Sequence, residues 1–453
     1  MMMRTLLITM VQHKARPIFI AAWLLFAAAY LMAGTGRAEA TQCNWNGASS
    51  TVWSLSSNWS DCVPGENDTA GFSGTPANNA VLTADANITG LSLFSSFTGS
   101  VSLQSFTLTI GANGIQIDGS GTLNLNTGTL VVNGLFYLHG SGAVSGGSAT
   151  LDVNAELKQD NGTFTAPSGS FTVSGGWNHT GGAFTPGTNT VTFDGTAAQA
   201  LSGSTTFFNL TINNSHASDK VDASGSSALA VTNTLRIQDG IFKSKSDYHD
   251  VQIDSGATLE LSGDITVSGN WTNNGTFTSN GFKVTFDGSG SQAVNGGISG
   301  SGAVVIASGG TVTFSGSTTY TGTTTINSGT LKLSASNVLA DATAVTVNVG
   351  GTFDINDKDE TISSLTLVGS GTVSDPASTS NTLTLASTGT ALTLQDGADI
   401  SSGNVKLALS GASGGSVSVF GTGPSSVSAS MDRYVDASVT VMVSLGITSL
   451  TPP

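Results

Sequence analysis

Residues 310–333 read GTVTFSGSTTYTGTTTINSGTLKL. Two short units frame the stretch, GTVTF from Gly310 and GTLKL from Gly329, and in each the apolar residues alternate: Val312 with Phe314, Leu331 with Leu333. A period of two buries one face of a short strand. The glycine ahead of each strand permits a tight bend into it. The same unit recurs at Gly121, Gly128, Gly162, Gly275, Gly351, Gly371 and Gly389. From Gly310 onward the starts keep a steady rhythm of about 20 residues, the length of a solenoid repeat. A unit so short cannot enclose a core, so neighbouring units must stack to bury their apolar rows. No stretch beyond the N-terminus has a helical apolar period, which argues against strand–helix repeats. The reading is an all-β parallel β-helix. Val312, Leu331, Phe353, Val373 and Leu392 are expected in one or two inward columns. At about 20 residues a coil the chain would make about 20 coils, a rod roughly 90–100 Å long.

A longer repeat offers a competing architecture. Residues 173–200, VSGGWNHTGGAFTPGTNTVTFDGTAAQA, align with residues 267–293, VSGNWTNNGTFTSNGFKVTFDGSGSQA, with one gap. Trp177 matches Trp271, Phe184 matches Phe277, Phe193 matches Phe286 and Gln199 matches Gln292. The offset between Val173 and Val267 is near the size of a β-sandwich domain, about 100 residues. The shorter Gly-Thr rhythm favours the solenoid.

Residues 312–333 also resemble the autotransporter-associated β-strand repeat of bacterial passenger domains. The matching positions are Tyr320, Thr321 and Gly322, then Thr325, Ile326 and Asn327, then Gly329, Thr330, Leu331 and Leu333. The segment after Gly350 is similar to the strand and turn that follow such repeats, and Asn58–Phe72 looks like the opening of exported surface proteins. The resemblance implies a right-handed parallel β-helix in an adhesin-like surface protein. The chain departs from it at Leu450–Pro453, where no amphipathic barrel series follows, so self-translocation is in doubt.

Composition narrows the class. Only 9% of the 453 residues are charged, Gly accounts for 58, and the net charge is −15; ordinary domains carry roughly a quarter charged residues. An acidic, Lys-poor surface does not compete for phosphate backbones, which excludes nucleic acid as a partner. Arg4, Lys14 and Arg16 precede an apolar run from Ile18 to Gly34, and Ala38-Glu39-Ala40 offers a cleavage site. Residues 1–40 therefore read as a signal peptide, the alternative being a retained anchor. No later segment is apolar and long enough to insert as a helix. In an exported chain Cys43 and Cys62 are expected to pair and staple the first coil. The expected organisation is a capping region at 41–72, coils with the Trp-containing repeats at 73–308, the autotransporter-associated repeat at 309–375, and terminal coils with a tail at 376–453.

Few residues read as chemistry. Asp354, Asp357, Asp359 and Glu360 crowd into one short stretch and supply oxygens suited to Ca²⁺. Lys358 nonetheless occupies a ligand position of the EF-hand order, and the turn glycine is missing. A solvated turn is the expectation. Lys243, Lys245, Asp247, Tyr248, His249 and Asp250 would offer acids and bases to a polysaccharide-cleaving enzyme, but no second carboxylate cluster is in register, and the family resemblance implies a plain loop here. His13, His139, His179, His216 and His249 stand singly, without metal-ligand spacing. The Gly-Ser tract at Gly288–Gly290 has no helix after it to bind phosphate. Trp45, Trp53 and Trp59 are expected to plug the first coil rather than form a carbohydrate platform. No catalytic residue, metal or cofactor is expected.

The leading function is an exported, non-enzymatic surface or secreted β-helix, adhesin-like or structural, binding polysaccharide or protein through extended faces. The alternatives are a carbohydrate-active β-helix enzyme and a truncated autotransporter passenger. The expected location is the cell surface, the outer membrane or the medium, with the periplasm as a further possibility.

Overall fold

The computed structural model describes residues 41–443 except 217, 219, 377–380, 396–397, 399–404, 411–415 and 421–440. The leader and the residues after 443 lie outside the described residues.

Among the described residues the strands pair in parallel and stack as three ladders, one strand of each per turn. The first carries Leu108, Leu130, Leu151, Phe171, Val191, Leu210, Leu235, Val251, Trp271, Val294, Phe314 and Leu333, each the register partner of the next. The second runs from Cys43 through Ala70, Leu91, Ile115, Phe136, Leu157 and Trp177 to Leu201. It continues from Gln199 through Val221, Phe242 and Leu259 to Phe277. The third runs from Ala80 to Phe184 and resumes at Phe207, passing Tyr248, Val267, Phe286 and Ile306 to Leu394. Long strands such as Gln199–Asn213 and Ser226–Asp239 bend round corners and serve more than one ladder. The apolar residues at these positions form one continuous core along the axis.

The fold is the β-solenoid expected, but shorter. Among the described residues it makes about 15 turns, a height of roughly 70 Å at the strand spacing of about 4.8 Å. Fewer turns fit because some coils outgrow the Gly-Thr rhythm, among them those from Trp45 to Phe72 and from Leu367 to Leu394. The expected inward residues are all buried. Val312, Leu331, Phe353 and Val373 form one column, and Leu392 stands above Leu365 in another. The glycines preceding these strands owe their place mostly to crowding rather than to the expected bend. Gly329 does have φ +71°, but Gly310 does not, and a Cβ there would lie 2.4 Å from the Gly290 carbonyl oxygen of the coil before.

The two Trp-containing copies have the same local structure. In both, the glutamine is buried and its amide donates to two carbonyls of the previous coil, at 2.8 and 2.8 Å for Gln199 and 2.8 and 2.7 Å for Gln292. Its oxygen accepts from Gly195 or Gly288. Trp177 meets Phe184 edge-on at 5.0 Å, and Trp271 meets Phe277 at 4.9 Å. The copies occupy different faces: Trp177 is on the second ladder and Trp271 on the first. No domain-length period survives this rotation, so the sandwich alternative fails.

The N-terminal end is closed by aromatics. Trp45, Trp53 and Trp59 are all buried, with Trp59 edge-on to the other two at 5.0 and 4.9 Å and Phe72 beneath. Buried Asn58 accepts from the backbone N–H groups of Ser49 and Ser50 and donates to the Val52 carbonyl. Cys43 and Cys62 sit at disulfide distance, Cα–Cα 5.1 Å.

Candidate functional site

The Lys243–Asp250 group is not a loop. Residues Asp247–Ile253 form a strand, and alternation sends its side chains to opposite sides. Tyr248 points inward to Ser244 at 2.5 Å, and burial pushes its hydroxyl up to about 12. Outside, four of the polar residues are tied to neighbouring coils. Asp247 accepts from the Thr266 hydroxyl, His249 Nδ1 meets Ser268 at 3.0 Å, Asp250 accepts from the Asn270 N–H at 2.6 Å, and Lys243 reaches Asp222 at 3.5 Å. These residues brace the stack and do not converge on a point.

A constellation that the spacing of single histidines conceals lies on the second ladder. Tyr137 and Lys158 are register partners, and His139 and Asp160 follow two residues beyond each. The Tyr137 hydroxyl donates to Asp160 Oδ2 at 2.6 Å, and His139 Nδ1 meets Asp160 Oδ1 at 2.8 Å. Lys158 Nζ lies over the Tyr137 ring, 4.4 Å from its centroid. Burial alone would raise the Asp160 carboxyl, but the bonds from Tyr137 and His139 outweigh it and hold the group below the usual carboxylate range. The bond to Asp160 and then burial raise the Tyr137 hydroxyl. With Nδ1 directed at a carboxylate, His139 presents Nε2 to solvent, the orientation of a general base or hydrogen-bonding group. The sequence signal was Tyr137-x-His139 answered one coil later by Lys158-x-Asp160, legible only once the length of that coil is known.

Flat polar columns cover much of the exterior. On the third ladder Thr266, Thr285, Val305, Thr325, Thr346, Thr366 and Thr393 are successive register partners. On the first, Thr109, Val131, Asp152, Thr172, Thr192 and Thr211 are likewise successive. From Thr266 onward the third-ladder column carries no charge; Asp247, the register partner of Thr266 on the coil before, ends that stretch. Bases are few, and among the described residues several are engaged: Lys220 pairs with Glu260, Arg236 with Asp254, Lys243 with Asp222 and Lys283 with Asp264.

The acidic stretch is a turn as expected, but its ends are not solvated. Asp354 is 7% exposed and Glu360 1%. Asp354 terminates one strand and Glu360 opens the next, so the ladder draws both carboxyls against neighbouring coils. Glu360 accepts from the Val338 N–H at 2.8 Å. Burial pushes its carboxyl up to about 7, against the opposing pull of backbone N–H groups. Elsewhere, Cys43, Cys62 and Asp68 form the one trio of His, Cys, Asp or Glu ligand atoms within 4.8 Å of one another among the described residues. With both sulfurs in one disulfide bond, that trio has no thiolate for a metal.

Geometry and sequence together define a three-ladder parallel β-solenoid with an aromatic N-terminal plug. No family model, curated protein or solved structure matches the chain.

Proposed function

We propose that the chain is an exported surface or secreted rod that binds polysaccharide or a neighbouring protein through its long faces. One observation carries this reading: outward threonines stacked rung upon rung, seven positions long on the third ladder with six of them Thr. Threonine suits an exposed strand on propensity alone, but a rigid uncharged column also repeats hydroxyl groups every ~4.8 Å. Each hydrogen bond contributes about 0.5–1.5 kcal/mol net, so affinity accumulates over several rungs and several copies. The apolar leader-like segment and the Cys43–Cys62 pair support export. The absence, among the described residues, of a helix able to cross a membrane is consistent with a mature chain held outside the bilayer by its partners.

The test combines protease shaving of intact cells with adhesion assays on T325K/T346K/T366K. Surface exposure with adhesion weakened in the triple variant supports the proposal. Intact adhesion in a folded triple variant removes the third ladder from it, and a strictly periplasmic chain removes the whole reading.

The His139–Asp160 pair with Lys158 one coil away is the one observation that favours a carbohydrate-active enzyme. Product release from an acidic or neutral glycan by wild type, abolished in H139A, would promote that reading over the first.

A further inference from the structure

We propose that the turn after Asp354, closed from the following coil by Asp375, binds Ca²⁺. Asp354 is 7% exposed and Asp375 is fully buried. Asp375 Oδ1 accepts from the Asp357 N–H at 2.8 Å, which anchors its carboxylate in the turn. Its other oxygen, Oδ2, is buried and has no hydrogen-bond partner. Asp354 Oδ1 accepts from the Asn356 N–H at 2.9 Å. The two carboxylates lie in each other's field, and burial, the larger cause, raises the Asp354 carboxyl. The cation beside them is Lys332, whose Nζ stands 3.9 Å from Asp354 Oδ2 and whose side chain is 36% exposed. Buried carboxylates are tolerated when paired or bound to metal, and one distant ammonium leaves this pair under-compensated.

The donor chemistry selects the ion. Asp354, Asp357 and Asp375 offer only oxygens, with Asn356 and backbone carbonyls beside them, and the turn holds no His or Cys. Ca²⁺ accepts six to eight oxygens in irregular geometry, whereas Mg²⁺ demands a near-ideal octahedron and keeps its water. No three carboxylates of the turn lie within 4.8 Å of one another, so amide, backbone and water oxygens would complete the shell. The ligands come from two coils, which is why a search for a single-loop pattern rejects the site. Lys332 competes for the same carboxylate, and that competition distinguishes a cation site from a purely structural turn.

The experiment uses the mature chain stripped with chelator and titrated with CaCl₂, by calorimetry and thermal unfolding, with MgCl₂ as control. Wild type is expected to bind Ca²⁺ with Kd of about 10⁻⁴–10⁻³ M, the range of extracellular modules, and to melt a few degrees higher. Mg²⁺ should do neither at equal concentration. D375N and D354N should each weaken binding at least tenfold, while K332M tightens it severalfold. No heat and no melting shift in wild type would overturn the proposal, as would D354N or D375N binding like wild type. Should D375N fail to fold, D354N and K332M decide it.

Discussion

Glu360 should make the C-terminal coils more stable in mild acid than at neutral pH, the reverse of the usual carboxylate. Its carboxyl rises from 4.5 to about 7 because it is buried at 1% exposure. Below the unfolded value both states are protonated, and Glu360 adds no pH dependence. Between 4.5 and about 7 the folded state holds more protons than the unfolded one, so stability falls as pH rises. Above that window the penalty is complete, about 3 kcal/mol for a shift of this size. E360Q cannot ionise. It also has one oxygen where Glu360 uses two, for the N–H groups of Val338 and Thr361, at a cost of about 1–3 kcal/mol. The two effects nearly cancel at high pH, so the informative quantity is slope rather than absolute stability. Stacked coils open semi-independently, so the assay is hydrogen exchange read coil by coil. Protection of residues 338–385 should decline from pH 5 to pH 7.5 in wild type and stay much flatter in E360Q. An equal decline in both proteins would refute the reasoning.

Asp264 behaves in the opposite way: the Lys283 N–H, its chief partner, lowers its carboxyl, so its contribution should hold above the ordinary carboxylate pKa and disappear as pH falls below it. D264N should flatten that acid limb in hydrogen exchange. Reduction of the Cys43–Cys62 pair, or C43S/C62S, should remove roughly 3 kcal/mol from the N-terminal coils, and alkylation of the native protein should find no free thiol. W271A should cost about 3–5 kcal/mol, measured by denaturant unfolding, and Q292A about 2 kcal/mol by stranding two carbonyls. Alanine at His249 should leave adhesion unchanged, because its Nδ1 is engaged by Ser268 of the next coil.

The core was legible because period-two alternation and the Gly-Thr rhythm are properties of the chain alone. Val312, Leu331 and Phe353 declare their side of the sheet without any partner being known. The exterior was less legible, for a physical reason: an outward residue's neighbours lie one coil away, and coil length varies. The coil from Leu210 to Leu235 is about half as long again as the next, from Leu235 to Val251. A drift of this size defeats any single spacing along the whole chain. His139 and Asp160, like Asp354 and Asp375, stand one coil apart where the rhythm holds, but spacing alone does not show that their side chains turn toward one another. Burial of Glu360 was invisible for the same reason. Its charged context, Asp357-Lys358-Asp359, reads as solvated, and only the ladder shows that residue 360 opens a strand against Leu383.

The Trp-containing repeat shows which residues the chain has kept for packing. Its copies begin at Val173 and Val267, an offset that at about 20 residues a turn leaves a remainder of about two-thirds of a turn. The second copy therefore begins on a different face: Val173, Trp177 and Phe184 fall on the first, second and third ladders, whereas Val267, Trp271 and Phe277 fall on the third, first and second. A partner lying along one straight face would never meet the repeated residues in matching positions. Most of what the copies share points inward: the tryptophan, the phenylalanines and the glutamine that bridges two carbonyls of the coil before. Those residues make a coil-closing unit that works from two different corners, the glutamine bridging two carbonyls of the coil before in each. Asn178 and His179 in the first and Thr272 and Asn273 in the second are where the two copies, alike inside, differ. There each copy braces its own corner: His179 Nδ1 meets the Ser204 carbonyl, while Asn273 donates to the Gly297 carbonyl and accepts from the Gly275 N–H.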